Sequence, residues 1–228
     1  MKRIMLVFGI IYAAVLAEMR IYGVHQGYGE HECGPNRWET ITQNVFPDGG
    51  VIDAETSLLK LEYAGVNTLD EKENTAWCVA FEDIPYANII YGLAGLGLSG
   101  KVYGIEILPG YTKSNKLFNM NSRPKKILIE VFCGETPLWG AKDIIAYSKE
   151  IILKDERSYQ KFMFNGKNTS EIIKEYCLKN GINDYVGNLL RLTMLEVYKG
   201  AKYDDTCISE VRFLGKKGNP MKVLPNMK

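Results

Sequence analysis

The sequence predicts an all-β domain, a sandwich or jelly roll that carries one short inserted helix. Three observations lead to that expectation. From about residue 54 onward, short apolar stretches of strand length recur between turn residues. Several of these stretches alternate apolar with polar side chains, which is the period of a strand with one buried face. Turn pairs such as Pro109-Gly110 and Asn165-Gly166 separate them, and one segment alone has helical spacing.

The elements follow in chain order. Residues 1–17 open with Lys2 and Arg3, run through the apolar stretch 4–17 and end among small residues at Ala13, Ala14 and Ala17, the pattern of a cleaved secretory signal. A membrane-spanning anchor needs about 20 consecutive apolar residues, and this run is shorter. Residues 18–53 hold Gly, Pro and Asn at irregular intervals, in Gly27-Tyr-Gly29, Gly34-Pro-Asn36 and Pro47-Asp-Gly-Gly50, and read as a turn-rich extension. The domain proper is expected over 54–215, with 216–228 as a tail. Trp77, Val79 and Phe81 set an apolar parity for an early strand. Further strands are predicted at 102–108, 127–132, 150–153, 159–164, 189–197 and 208–214. In the second of these, Ile127, Ile129 and Val131 share a face. In the last, Ser209, Val211 and Phe213 fall on one side and Glu210 and Arg212 on the other, which predicts one wet face. The helix is capped by Thr169 or Ser170, holds Ile172, Ile173, Tyr176 and Cys177, and stops at Asn180-Gly181. Asn168-Thr-Ser170 also matches a glycosylation acceptor, a pattern that matters only in hosts that glycosylate exported chains.

Composition narrows the function classes. The chain has 228 residues, 46% of them apolar, enough to build a sizeable core. Its 28 basic and 27 acidic side chains leave a net charge of +1, and removing Lys2 and Arg3 with the signal makes it −1. Neither value draws the protein toward nucleic acid or an anionic membrane. Export makes Cys33, Cys78, Cys133, Cys177 and Cys207 candidates for disulfides, and the odd count leaves at least one thiol unpaired in each monomer. No two cysteines have a zinc-ligand spacing.

Catalytic motifs are weak. Gly95-Leu-Gly-Leu-Ser-Gly100 has dinucleotide-binding spacing, but a strand pattern follows it instead of the helix whose N-terminus would hold a pyrophosphate. It reads as a glycine-rich loop. His25 and His31 fall in the turn-rich extension, outside the predicted core, which leaves no obvious base for a nucleophile. The pairs Asp204-Asp205 and Glu82-Asp83 read as solvated turn residues or cation ligands before they read as a catalytic couple. The expectation is a non-catalytic module, with an enzyme as the less favoured alternative.

The ordered series Asn67-x-x-Asp70, Thr75-Ala-Trp-Cys78, Gly110-Tyr-x-Lys-Ser114, Asn121-x-Arg-Pro-Lys-Lys126 and Val197-Tyr-x-Gly-x-Lys-Tyr-Asp-Asp-Thr-Cys-Ile-Ser-Glu210 resembles the NADase-type glycan-binding domain. That domain is related to discoidin and coagulation-factor type C modules. It accompanies bacterial NAD-glycohydrolase toxins as a non-catalytic translocation part and also occurs alone. The resemblance spans roughly 54–214 and touches nothing of the toxin's catalytic domain. It implies a galactose-binding-like jelly roll that recognises a glycan or glycoconjugate, secreted to the extracellular space or the periplasm. The alternative on the same fold is an extracellular protein–protein interaction module.

The wider superfamily often holds a structural calcium ion near one edge, and the resemblance implies Asp70, Thr75 and Glu210 as its ligands. Calcium takes six to eight oxygens from carboxylates, hydroxyls and carbonyls, and carbonyls near Asn67 complete such a shell. Relatives usually show Asp-Gly-Asp where this chain has Asp70-Glu-Lys72, which puts a lysine where an acid is expected. The competing reading has Asp70 capping a turn and Glu210 facing solvent. If Thr75 and Glu210 do meet on antiparallel strands, the same register places Cys78 opposite Cys207, within disulfide reach. The parity of Trp77 and Val79 points Cys78 the other way, so a bulge, a short pairing or two separate buried thiols remain open.

Sugar binding calls for aromatic faces and a few fixed polar groups on loops at one end of the scaffold. With 14 tyrosines and 3 tryptophans the chain has the material. The segment 81–100, with Tyr86, Asn88 and Tyr91, is the first candidate, and Tyr111, Arg123 and Trp139 are further ones. Each also has a packing or turn-shaping reading.

Overall fold

The computed structural model describes residues 52–54, 63, 65–80, 87–93, 96–98, 100–135 and 143–223. The expected signal segment and most of the turn-rich extension lie outside them.

Nine strands and two helices are described: β1 (Ile52–Ala54), β2 (Trp77–Val79), β3 (Asn88–Gly92), β4 (Gly104–Pro109), α1 (Asn115–Met120), β5 (Arg123–Glu135), β6 (Asp143–Ile152), β7 (Gln160–Met163), α2 (Thr169–Lys179), β8 (Tyr185–Tyr198) and β9 (Thr206–Leu214). The strands form two antiparallel sheets. One has five strands in the order β1-β3-β8-β5-β6, the other four in the order β2-β9-β4-β7. Every named strand pairing is antiparallel, and the two sheets enclose one main core. This is the all-β sandwich that the alternation predicts.

The core lies where the strands' apolar faces meet. Ile127, Ile129 and Val131 of β5 share the inward face with Leu190, Leu192 and Met194 of β8. Ile105 and Ile107 of β4 and Val211 and Phe213 of β9 come from the facing sheet. Tyr91 of β3 meets Phe213 edge-on, with ring centroids 5.3 Å apart, and its buried hydroxyl lies 3.0 Å from the Thr68 hydroxyl. That bond satisfies a phenol otherwise stranded in apolar surroundings.

The helix falls where its spacing places it, between β7 and β8, and Ile172, Ile173 and Cys177 bury one face in the core. Its cap differs by one residue from the expected Thr169 or Ser170. Asn168 accepts from the Glu171 backbone N–H at 2.9 Å, and Glu171 reaches back to the Asn168 N–H at 2.9 Å, a reciprocal capping box. The possible glycan acceptor Asn168 is thus a buried cap.

Residues 52 and 53, at the end of the extension, join the larger sheet through β1, which pairs with β3. Three readings are corrected. The segment 81–100 contains a buried strand, β3, among its described residues, where a loop was expected. The strand expected at 150–153 begins earlier and runs over Asp143–Ile152. The wet face expected for β9 is covered: Glu210 is 2% exposed, and the register with β4 shifts between Leu108 and Pro109. After the glycine-rich stretch the chain enters β4 and not a helix, as its pattern indicates. No helix among the described residues is long and apolar enough to cross a membrane.

Candidate functional site

The strand pair β2–β9 brings the two most distant motifs together. Trp77 opposes Ile208, Cys78 opposes Cys207 and Val79 opposes Thr206. Cys78 and Cys207 are joined by a disulfide, with Cα atoms 4.2 Å apart. The parity conflict resolves without a bulge in this pairing, because both faces of β2 are covered. Trp77 and Val79 enter the main core, while the disulfide sits in a second apolar cluster with Ala76 and Tyr111, against which Tyr63 and Leu117 pack. Cys133 and Cys177 are buried in the main core, and Cys33 lies outside the described residues.

Just before β2, the loop 70–75 is held by its own side chains and by a neighbour. The Thr75 hydroxyl lies 3.0 and 2.9 Å from the two Asp70 carboxylate oxygens and 2.9 Å from the Lys72 carbonyl. Asp70 also accepts from the Lys72 backbone N–H at 2.9 Å, the turn-closing role its position predicts. Asn67 donates to the Ala76 carbonyl, and the Thr112 hydroxyl donates to the Glu73 carbonyl at 2.5 Å. Glu71 sits at φ 60°, a conformation that suits glycine.

Glu210 projects from β9 toward this loop, buried, with no hydrogen-bond partner on its Oε2. Burial pushes its carboxyl up to about 8, and the negative charges of Asp70 and Glu71 push the same way, against the pull of Arg212. A buried carboxylate oxygen without a donor is a costly arrangement that a cation or a proton would relieve. Asp70, the Thr75 hydroxyl and Glu210 are all hard oxygen donors, the type calcium takes. No group of three or more His, Cys, Asp or Glu side chains among the described residues is arranged to hold a metal, so neutral oxygens would have to fill most of the shell. Lys72, 3.8 Å from Asp70, already places one positive charge at the rim. The residues present fit a mixed carboxylate, hydroxyl and carbonyl site. The competing reading is half met: Asp70 closes a turn, but Glu210 does not face solvent.

The residues singled out for sugar are placed differently. Tyr91 is wholly buried in the core. Asn88 is buried in β3 opposite Thr193. Tyr111, 8% exposed, stands edge-on to Tyr63 over the disulfide cluster. Arg123 grips Asp155 through two parallel bonds of 2.9 and 2.6 Å, donates to the carbonyls of Asn121 and Lys199, and lies over the Phe118 ring. These four side chains are buried and contact the protein's own atoms. Tyr86 and Trp139 lie outside the described residues.

Sequence reasoning did not single out one concave surface among the described residues as a site. A cleft of about 300 Å³ opens between α2 and β6, lined by residues that include Tyr147, Phe164, Lys167, Tyr176 and Lys179. The helical spacing of Ile172, Tyr176 and Lys179 is the one signal that would have put these side chains on a common stripe.

The sequence profile described as the NAD glycohydrolase translocation F5/8 type C domain matches residues 51–214. No curated protein matches the chain. Among solved structures, it is similar to the F5/8 type C domain of a Bacteroides fragilis protein, at 9% identity and a TM-score of 0.44, covering 78% of this chain and 97% of that one. It is also similar to the family 32 carbohydrate-binding module of Clostridium perfringens NanJ in complex with galactose, at 12% identity and a TM-score of 0.38, covering 71% and 90%. A further C. perfringens family 32 module, in complex with GalNAc-β-1,3-galactose, matches at 18% identity and a TM-score of 0.39, covering 71% and 91%.

Proposed function

Because the chain belongs to the NAD glycohydrolase translocation F5/8 type C domain family, we propose that it is a non-catalytic module that binds glycans outside the cytoplasm and carries a structural calcium ion. The family match across residues 51–214 is the observation that carries this reading. What matches is the translocation domain, and the matched span covers both sheets from β1 to β9 and the loop that precedes β2.

Two features support the finer parts. The disulfide suits an oxidising compartment, as does the signal pattern of residues 1–17. The orphaned Glu210 oxygen beside the Asp70–Thr75 loop supports calcium, with Asp70, Thr75 and Glu210 as ligands. Bound there, the ion would supply positive charge and tie the loop to the last strand. Asp70 and Glu210 would bring the charge that balances it, and Thr75 would orient the Asp70 carboxylate.

A glycan array probed with the full chain, followed by calorimetric titration of the best ligand, tests the function. Saturable binding competed by free sugar supports it. A blank across a broad array rejects it, and capture of a protein partner that free sugar does not displace favours the protein-interaction module instead.

A further inference from the structure

The cleft between α2 and β6 has an aromatic floor and a charged rim. Tyr147 of β6 and Phe164 after β7 meet on the floor with ring centroids 5.5 Å apart, and burial pushes the Tyr147 hydroxyl up from its ordinary value. On the helix, Ile172, Tyr176 and Lys179 recur at intervals of four and three, so one stripe of α2 faces the opening. Tyr176 is 37% exposed there. Lys167 is ion-paired with Glu175 across the rim, which matches that acid's charge and leaves Lys179 as the remaining cation of the lining.

We propose that this cleft is the glycan site, and that the sugar it takes is acidic, a pyranose bearing a carboxylate or sulfate group. The proposal rests on the glycan reading above. The half-buried Tyr147 ring and the exposed Tyr176 ring offer faces for the apolar side of one sugar ring, and a cleft of about 300 Å³ is at the small end of ligand sites, the scale of one or two rings. The anionic substituent is set by charge complementarity, with two lysines against one glutamate on the lining. The location also answers a difficulty left by the burial of Asn88, Tyr91, Tyr111 and Arg123, because here an aromatic ring and a cation are both open to solvent.

The test is titration of the full chain with sialyllactose, a heparin-derived disaccharide and lactose. It is repeated for Tyr176→Ala, Lys179→Ala and Lys179→Arg, each checked for an unchanged thermal midpoint. Sialyllactose or the sulfated sugar should bind about tenfold or more tighter than lactose, and comparing the two identifies the anion. Tyr176→Ala should weaken binding about tenfold, Lys179→Ala should weaken acidic sugars alone, and Lys179→Arg should retain them. Equal affinity for lactose overturns the acidic class. Acidic binding that ignores both alanine variants overturns the location and leaves the glycan reading standing. No binding to these sugars or to any glycan on a broad array removes both.

Discussion

Glu210 shows how a single side chain can be buried in a way that its neighbours in sequence do not foretell. Alternation along β9 marks it as a solvent-facing partner of Arg212, yet the loop 70–75 folds over it and leaves one oxygen without a donor. A carboxyl raised from 4.5 to about 8 holds its proton more tightly in the folded than in the unfolded chain. Between those two values the folded state binds more protons, so stability falls as pH rises through that window and is fully restored below it. In the presence of a chelator, the thermal midpoint should therefore climb as pH is lowered from 8 to 5. The Glu210→Gln variant should lack that part of the slope, and parallel slopes would show that the group does not titrate there. Glu71 allows a second prediction. Its φ of 60° is costly for a side chain with a Cβ, so Glu71→Gly should stabilise the metal-free protein by about 0.5–1 kcal/mol in urea denaturation. Such details were only partly legible in the sequence. The resemblance pointed to Asp70, Thr75 and Glu210, but burial depends on a loop more than a hundred residues away, which no local pattern encodes.

At the scale of elements, legibility followed periodicity. β5 and β9 alternate and were found, and α2 has a 3.6-residue stripe and was found with its stop signal. β3 was missed because it is largely covered on both faces, so Asn88 and Tyr91, polar enough to suggest a ligand-binding loop, are in fact packed between partners. α1 is a short turn of helix held by its Ser114 cap and has no stripe to read. The turn 199–205 explains much of the long C-terminal motif. Ala201, Lys202 and Tyr203 donate backbone N–H groups to the carbonyls of Asn119 and Met120, which lays the turn directly on the end of α1. Gly200 makes that approach possible, because a Cβ there would lie 2.4 Å from the Met120 carbonyl oxygen and the Asn121 carbonyl carbon. Gly200→Ala should cost about 2 kcal/mol or more, comparable to overpacking a core, as a lowered midpoint in chemical denaturation. The β2–β9 pairing makes a prediction of its own. The disulfide closes a separation of 129 residues, so Cys78→Ser with Cys207→Ser should lower stability by about 2–5 kcal/mol. Unchanged stability of the double variant would show that the strand pairing stands without the bond.

For the whole molecule, the sandwich was readable because every level of the pattern agreed: strand-length apolar runs, turn pairs between them and one capped helix. The cleft beside α2 was not, because a cleft forms where two elements stop short of covering each other. The sequence names the side chains on α2 and β6 without saying that a gap separates them. A calcium ion would act at this scale as well, since an ion between the 70–75 loop and β9 would connect segments far apart in the chain. Adding calcium to chelator-treated protein should raise its midpoint, by the equivalent of about 2.7 kcal/mol once the ion exceeds its dissociation constant a hundredfold, and Asp70→Ala should abolish the rise. The cross-link between the second strand and the last has a mechanical consequence. A force pulling on the two ends of the domain is carried through one covalent bond, and the chain across its separation of 129 residues, roughly 430 Å when extended, stays slack behind it. Passage through a narrow pore as a single thread thus requires a reductant, and stretching single molecules should show that length released only after the bond is broken.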